Sequence, residues 1–177
     1  MKIVFAAASA AAALLAAAPA LADPPAVSGY GTLGYTDFSG DSANLGAITG
    51  RLGARWGRYI GAEGELSGGV TSDTANIGGV NTKVRIGDQF AGYVVGFLPV
   101  SPNADLFARL GYGQTRLNVS TPGTGAGGDH TSVNYGVGGQ YFFDGSNGVR
   151  ADYTRMDFTN HANFNANVWS LAYVRKF

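Results

Sequence analysis

Beyond residue 22, apolar side chains recur at alternate positions in runs of roughly ten residues, with polar, turn-rich stretches between them. Eight runs fall near 27–37, 47–57, 60–70, 83–97, 105–117, 132–143, 148–158 and 166–177. In the second, Gly50, Leu52, Ala54 and Trp56 share a side opposite Thr49, Arg51, Gly53 and Arg55. The third sets Ala62, Leu66 and Val70 against Glu63, Glu65 and Ser67; the fifth sets Leu106, Leu110 and Tyr112 against Phe107, Arg109 and Gly113. The sixth sets Tyr135, Val137, Tyr141 and Phe143 against Asn134, Gly136, Gly138 and Gln140, and the seventh Val149, Ala151 and Tyr153 against Arg150, Asp152 and Thr154. In the eighth, Trp169, Leu171, Tyr173 and Phe177 oppose Ser170, Ala172, Val174 and Lys176. The fourth is read with Tyr93, Val95 and Phe97 as its outward row, while the first is too rich in Gly to assign. Gly sits inside the runs themselves, and in a helix each would cost about 1 kcal/mol. Strands are therefore expected throughout.

The connections alternate in length. Those near 38–46, 71–82, 118–131 and 159–165 are long and polar, while those near 58–59, 98–104 and 144–147 are short. Long loops at one end and tight turns at the other predict an all-β fold, an eight-stranded antiparallel up-and-down transmembrane β-barrel.

The 177 residues include 28 Gly, no Cys, and 12 Lys+Arg against 12 Asp+Glu. Lys2, the apolar stretch Ile3–Ala18, Pro19 and the triplet Ala20-Leu21-Ala22 have the layout of a cleavable export signal. The expected division is a signal peptide over 1–22 and a barrel domain over 23–177. The exported part would carry a net charge of −1 and about 18 % Gly, against an average near 7 %. A balanced charge argues against a nucleic-acid partner. The lack of Cys excludes disulfides, thiolate metal sites and a Cys nucleophile.

Arg51, Arg55, Glu63, Glu65, Asp88, Arg109, Arg150 and Asp152 recur on the polar faces, interleaved with Gly. A soluble barrel would turn its apolar face inward. Here the export signal and the Gly between large charged residues favour a charged interior, since eight strands leave a lumen only wide enough for side chains. A hairpin centred on Tyr59 would set Arg55 opposite Glu63, with Arg51 diagonal to Glu65. One centred on Ser146 would set Gln140 opposite Asp152. The expected lumenal charge network is thus Arg51, Arg55, Glu63, Glu65, Asp88, Arg109, Gln140, Arg150 and Asp152.

The last run, Val168 to Phe177, ends on Phe with Trp169, Leu171 and Tyr173 at alternate positions before it. It resembles the C-terminal assembly signal of bacterial outer-membrane barrels, with Arg175 where an apolar residue is usual. Leu106–Gly113, Gly138–Tyr141 and Val149–Arg155 are likewise similar to the OmpA-like eight-stranded barrel family, over essentially all of 23–177. The resemblance implies a monomer in the outer membrane of a Gram-negative bacterium, both chain ends at the periplasmic side, inserted by the barrel assembly machinery. The lumenal Glu that the resemblance implies near Gln140 is absent, which departs from an OmpA-type salt-bridge gate, and no peptidoglycan-binding domain is seen.

Chemistry-bearing motifs are few. His130 and Ser132 share a strand face, as in a barrel-borne lipid deacylase, but Asp129 and Asp144 lie in a loop and a turn, so no third group is set to orient the base. His130 and His161 are too few for a metal site. Gly123–Gly128 has neither the Lys nor the helix of a phosphate cradle. No enzyme activity, cofactor or metal is expected. Lys83, Arg85 and Arg116 are expected outward at the extracellular edge of the apolar band, facing lipopolysaccharide phosphate. The function expected is a structural envelope barrel with a plugged polar lumen, the alternatives being a small solute channel or a surface-binding barrel acting through its loops. Deleting Phe177 is expected to lower outer-membrane levels in cells far more than folding in detergent; immunoblotting of membrane fractions beside a refolding assay checks this, and unchanged levels would contradict the assembly signal.

Overall fold

A computed structural model describes residues 27–40, 44–77, 80–121, 124–159 and 165–177. The expected export signal lies outside them, as does His161. Nine strands form: β1 (Val27–Gly40), β2 (Asn44–Trp56), β3 (Ile60–Gly69), β4 (Ser72–Ile77), β5 (Val80–Ser101), β6 (Ala104–Thr121), β7 (Thr124–Phe142), β8 (Asn147–Phe158) and β9 (Asn165–Lys176). Apart from β3 and β4, sequential neighbours pair antiparallel, β9 returns to β1, and β3 also pairs with β5, which closes the sheet. β3 and β4 lie along successive stretches of β5: Ile60–Gly68 opposite Asp88–Gly96, then Ser72–Ile77 opposite Val80–Arg85. They act as one interrupted barrel strand, so the barrel is eight-stranded.

The outward face is apolar. Leu52 is 72 % exposed, Leu110 60 % and Leu171 66 %, while Arg51, Arg109 and Arg150 on the opposite face are buried. The two ends of the outward band are aromatic: Tyr35, Tyr112, Tyr135 and Trp169 toward one rim, Tyr59, Tyr141, Phe143 and Tyr173 toward the other. Tyr135 and Phe143, eight positions apart, span about 27 Å of extended strand. With barrel tilt this approaches the apolar band, about 25 Å tall, of an outer-membrane barrel with its two aromatic girdles.

β5 departs from the expected alternation. Tyr93, Val95 and Phe97 point into the barrel, and Phe90, Val94 and Leu98 point out. The stretch Tyr93–Phe97 is apolar on both faces, so alternation alone could not choose between them. Inside, Tyr93, Val95 and Phe97 join Tyr30, Phe107, Phe142 and Val174 in one cluster. A second cluster, Phe38, Leu45, Ala47, Met156, Ala166 and Val168, lines the lumen nearer the other end. Between Ile86 and Gln89 the pairing of β5 with β6 shifts register, a bulge that reverses strand parity. Asp88 falls at this bulge and is exposed, so it leaves the lumenal set.

Among the described residues, the polar segments expected as loops are largely strand. β5, β6 and β7 run 22, 18 and 19 residues, where 9–11 suffice to cross a bilayer. The surplus continues as paired hairpins, and Thr124–Gly128, expected within a flexible loop, pairs with Leu117–Thr121. Likewise 98–101 belongs to β5 rather than to a turn.

The short turns are set by two glycines with left-handed backbones, Gly57 (φ 62°) and Gly145 (φ 82°), a region Gly occupies without a steric cost. Asp144 accepts hydrogen bonds from the backbone N–H groups of Ser146 (3.0 Å) and Asn147 (2.5 Å). These, with Asn147 foremost, hold its carboxyl below the ordinary carboxylate range.

Other glycines make room in the lumen. A Cβ on Gly138 would lie 2.5 Å from Phe107 Cζ and 2.7 Å from Asp152 Cβ, whereas one on outward-facing Gly92 would meet nothing within 4 Å. Gly138→Ala is therefore expected to destabilise the refolded barrel by about 1–3 kcal/mol and Gly92→Ala to stay within about 0.5 kcal/mol of wild type. Equilibrium urea unfolding of both variants in the same micelles checks the contrast.

Candidate functional site

The lumen gathers three arginines and three carboxylates into one charge-balanced network. Arg51 on β2 donates from Nε to Glu65 Oε2 on β3 at 2.6 Å and from Nη1 to Asp152 Oδ2 on β8 at 3.3 Å. Arg109 on β6 reaches the same two acids, Glu65 at 3.1 Å and Asp152 at 2.7 Å. Arg150 on β8 holds Glu63 on β3 with both terminal nitrogens, at 2.5 and 3.1 Å, the paired geometry that makes arginine–carboxylate bonds strong. Arg150 Nε also lies 3.5 Å from Asp152, so the two halves join.

The remaining strands contribute neutral donors and acceptors. Tyr30 on β1 donates to Glu63 at 2.7 Å. Tyr93 and Gln89 on β5 both donate to Glu65 at 3.2 Å. Asn134 on β7 donates to the Tyr93 hydroxyl at 3.1 Å, and Ser170 on β9 accepts from Arg51 at 3.3 Å. Every strand of the closed barrel therefore places a side chain in the network or directly against it. The guanidinium carbons of Arg109 and Arg150 also lie over Tyr93 and Phe107, at 4.5 and 3.9 Å from the ring centroids.

Arg55 stands apart. Its hairpin is centred on Arg58 rather than Tyr59, because Gly57 takes the left-handed turn position, and so Arg51 lies directly across from Glu65 while Arg55 faces Gly61. Arg55 pairs instead with Asp105 on β6, at 2.9 and 3.3 Å. The β7–β8 hairpin is likewise centred on Gly145 and not Ser146, which sets Gln140 opposite Arg150 and Gly138 opposite Asp152. Gln140 donates to Asp105 at 2.9 Å. In both hairpins a one-residue shift of the centre moves each partner by two positions, preserving the face and changing the neighbour.

Tyr30, Gln89, Tyr93, Asp105 and Asn134 are members that the alternation of charged faces does not single out. Asp105 carries a signal in the sequence, since it shares the parity of Phe107 and Arg109; Tyr30 lies in the unassigned first run.

The outer and motif residues fall elsewhere. Arg116 faces outward and forms an exposed ion pair with Asp129 at 2.9 Å. Lys83 and Arg85 pair through their backbones with Ser120 and Asn118, and their side chains lie outside the described part. Trp169, Leu171, Tyr173 and Phe177 are all exposed on the outward face. Ser132 donates its hydroxyl proton to Asn134 at 2.7 Å, and His130 packs edge-on against Phe158. Asp144, in the β7–β8 turn, is at the opposite end of the barrel from His130. Among the described residues no group of three or more His, Cys, Asp or Glu is arranged to hold a metal ion.

A closed barrel with an apolar girdled exterior and a buried polar interior defines an outer-membrane β-barrel protein of the bacterial envelope. The sequence matches the outer membrane protein beta-barrel domain family over residues 6–177, and the chain belongs to that family. No curated protein sequence matches it. Among solved structures, it is similar to Ail, the attachment invasion locus protein of Yersinia pestis in complex with the heparin analogue sucrose octasulfate, at 14 % identity and TM-score 0.63, covering 85 % of this chain and 99 % of that one. The N-terminal β-barrel domain of Pseudomonas aeruginosa OprF is similar at 10 % identity and TM-score 0.60, over 84 % and 97 % of the two chains. Neisserial surface protein A is similar at 9 % identity and TM-score 0.58, over 85 % and 97 %. At these identities the likeness is one of fold.

Removing one member of the network leaves buried charge uncompensated. Arg109→Met is expected to destabilise the barrel by about 3–5 kcal/mol, whereas Arg116→Met, at an exposed pair, is expected to leave the unfolding midpoint unchanged. Urea unfolding in micelles measures both, and equal effects would show that burial of the network is not what makes it matter.

Proposed function

We propose that this protein is a structural barrel of the outer membrane whose lumen is plugged, with no catalytic role. The observation that carries this is the neutral network of Arg51, Arg109, Arg150, Glu63, Glu65 and Asp152, braced by groups from every barrel strand. Aromatic and aliphatic clusters lie within the same lumen, and buried charges in such a setting are tolerable only when paired and hydrogen-bonded. The barrel works as a monomer inserted by the barrel assembly machinery, with the segment before Asp23 removed on export. Its surroundings are outer-membrane lipid and lipopolysaccharide. The contact expected of Lys83, Arg85 and Arg116 takes the form, at Arg116, of a lipid phosphate exchanging with Asp129.

A second reading, binding at the cell surface, is favoured by one feature. β4 to β7 continue beyond the apolar band as a projecting sheet; among the described residues β7 from Thr124 to Asp129 has a ladder partner in β6 alone, whereas Thr131 already accepts from the Thr159 N–H and the pairing with β8 begins at Ser132. A strand paired on one side is a template for an added strand from a partner. Ail, named for attachment, is a fold relative in keeping with this reading.

The channel alternative requires a continuous water path through the network. Wild-type protein in planar bilayers is expected to give little or no steady conductance, and Arg109→Ala to give either flickering current or an unstable barrel. Large, stable single-channel currents from wild type would overturn the plug.

A further inference from the structure

Below the network, at the periplasmic end, lies a cavity of about 210 Å³ whose lining is positively charged. Tyr30, Phe97 and Phe142 of the aromatic cluster line it, together with Arg55, Arg58 and Lys176. None of its lining residues is a carboxylate. Asp105, the acid nearest in interaction, offsets Arg55 through two bonds at 2.9 and 3.3 Å and also accepts from Gln140. Arg55 is further committed to the carbonyl oxygen of Arg58, and its guanidinium lies 4.3 Å from the centroid of Phe97.

Arg58 and Lys176 are in a different position. Neither forms an ion pair with a carboxylate among the described residues, whereas every arginine of the network above does. Lys176 Nζ sits 3.5 Å from the centroid of the Phe142 ring. That contact fixes the ammonium over an aromatic face and gives it no acceptor for its three N–H donors. Three cations, Arg55, Arg58 and Lys176, thus line a concave site walled by rings, and the one side-chain carboxylate that reaches it, Asp105, is bonded to Arg55. Low-dielectric walls around charge of one sign focus its field and concentrate counter-ions.

We propose that this mouth is a binding site for a small oxyanion, a carboxylate or phosphate group presented from the periplasmic side, held between Arg58 and Lys176. The volume corresponds to about seven waters at roughly 30 Å³ each, enough for such a group with a short attached stem. Both cations sit where a ligand can reach them without entering the barrel: Arg58 on the β2–β3 turn and Lys176 at the last position of β9. The site adjoins the plug through Tyr30, which lines the cavity and donates to Glu63, but none of the six charged network residues lines it.

The test uses ¹⁵N-labelled full chain refolded in micelles, titrated with sodium phosphate, sodium acetate or sodium chloride at constant ionic strength. The amides of Ser28, Gly57, Arg58 and Lys176 are expected to shift saturably with phosphate, acetate or both, while Gly113 and Thr131 at the far end stay still. Saturation by phosphate alone assigns the ligand to a phosphate headgroup, and saturation by acetate alone assigns it to a carboxylate. The double variant Arg58→Gln/Lys176→Gln is expected to bind at least tenfold more weakly. Arg58→Gln alone, at an exposed turn, carries the same test if the double variant does not fold, with weakening of at least threefold expected. Shifts reproduced by chloride, shifts that never saturate, or variants that titrate as wild type would overturn the site.

Discussion

Inside a bilayer every backbone N–H and C=O of this chain has to find its partner within the chain, because hydrocarbon offers none. A sheet meets that demand only by closing, and closure through the β9–β1 and β3–β5 pairings sets the width of the bore. Eight strands make a lumen just wide enough for side chains to fill. Large inward groups then need small neighbours. Gly138 lies directly across from Asp152 and Gly136 across from Thr154, so the lumen is shaped by residues that carry no side chain as much as by those that do.

With the size of the lumen set, its charges can persist only as a neutral assembly. Taking an ion from water costs several kcal/mol even after relaxation, and three arginines with three carboxylates offset that cost only because their geometry is shared. Asp152 accepts from both Arg51 and Arg109, and Glu65 from the same two. Each acid therefore holds two strands together, and the network ties β2, β3, β6 and β8 across the bore as well as around the wall. This arrangement is a brace before it is anything else. Whatever free energy it contributes is lost unevenly, because removing any one arginine leaves the six-membered network with a buried negative charge in excess.

Much of the architecture is legible in the chain, for a physical reason: lipid outside and a packed polar bore inside impose a period of two on every strand. Leu106 to Tyr112 and Val149 to Thr154 read correctly because their two faces differ sharply in polarity. Tyr93 to Phe97 do not, since a strand apolar on both sides carries no parity signal, and the bulge between Ile86 and Gln89 is a tertiary feature without a local mark. The charged partners are legible as a set and not as pairs. Which of Glu63 or Glu65 meets Arg51 depends on the turn centre, and that is fixed by the left-handed conformations of Gly57 and Gly145. Segment 124–131 reads as loop because Gly has poor strand propensity; the pairing with β6, a contact between hairpin arms, overrides it.

A neutral, filled bore leaves the two ends as the places where charge and unpaired backbone face water. They are chemically unlike. The projecting sheet offers backbone groups and an exposed, self-neutralised Arg116–Asp129 pair, a surface suited to extended chains whose recognition is carried by the main chain. The mouth at the β2–β3 and β7–β8 turns offers cations beside aromatic rings, a surface suited to small anions whose recognition is carried by side chains. The plug allows this division: in an open pore of this width the same cations would line a solvated path and be screened by the ions passing through it. Here Arg55 is locked to Asp105 beneath the aromatic cluster, and the field of Arg58 and Lys176 acts in a blind recess. Plugging the barrel therefore does more than stiffen it, because it turns the mouth of a conduit into the floor of a site.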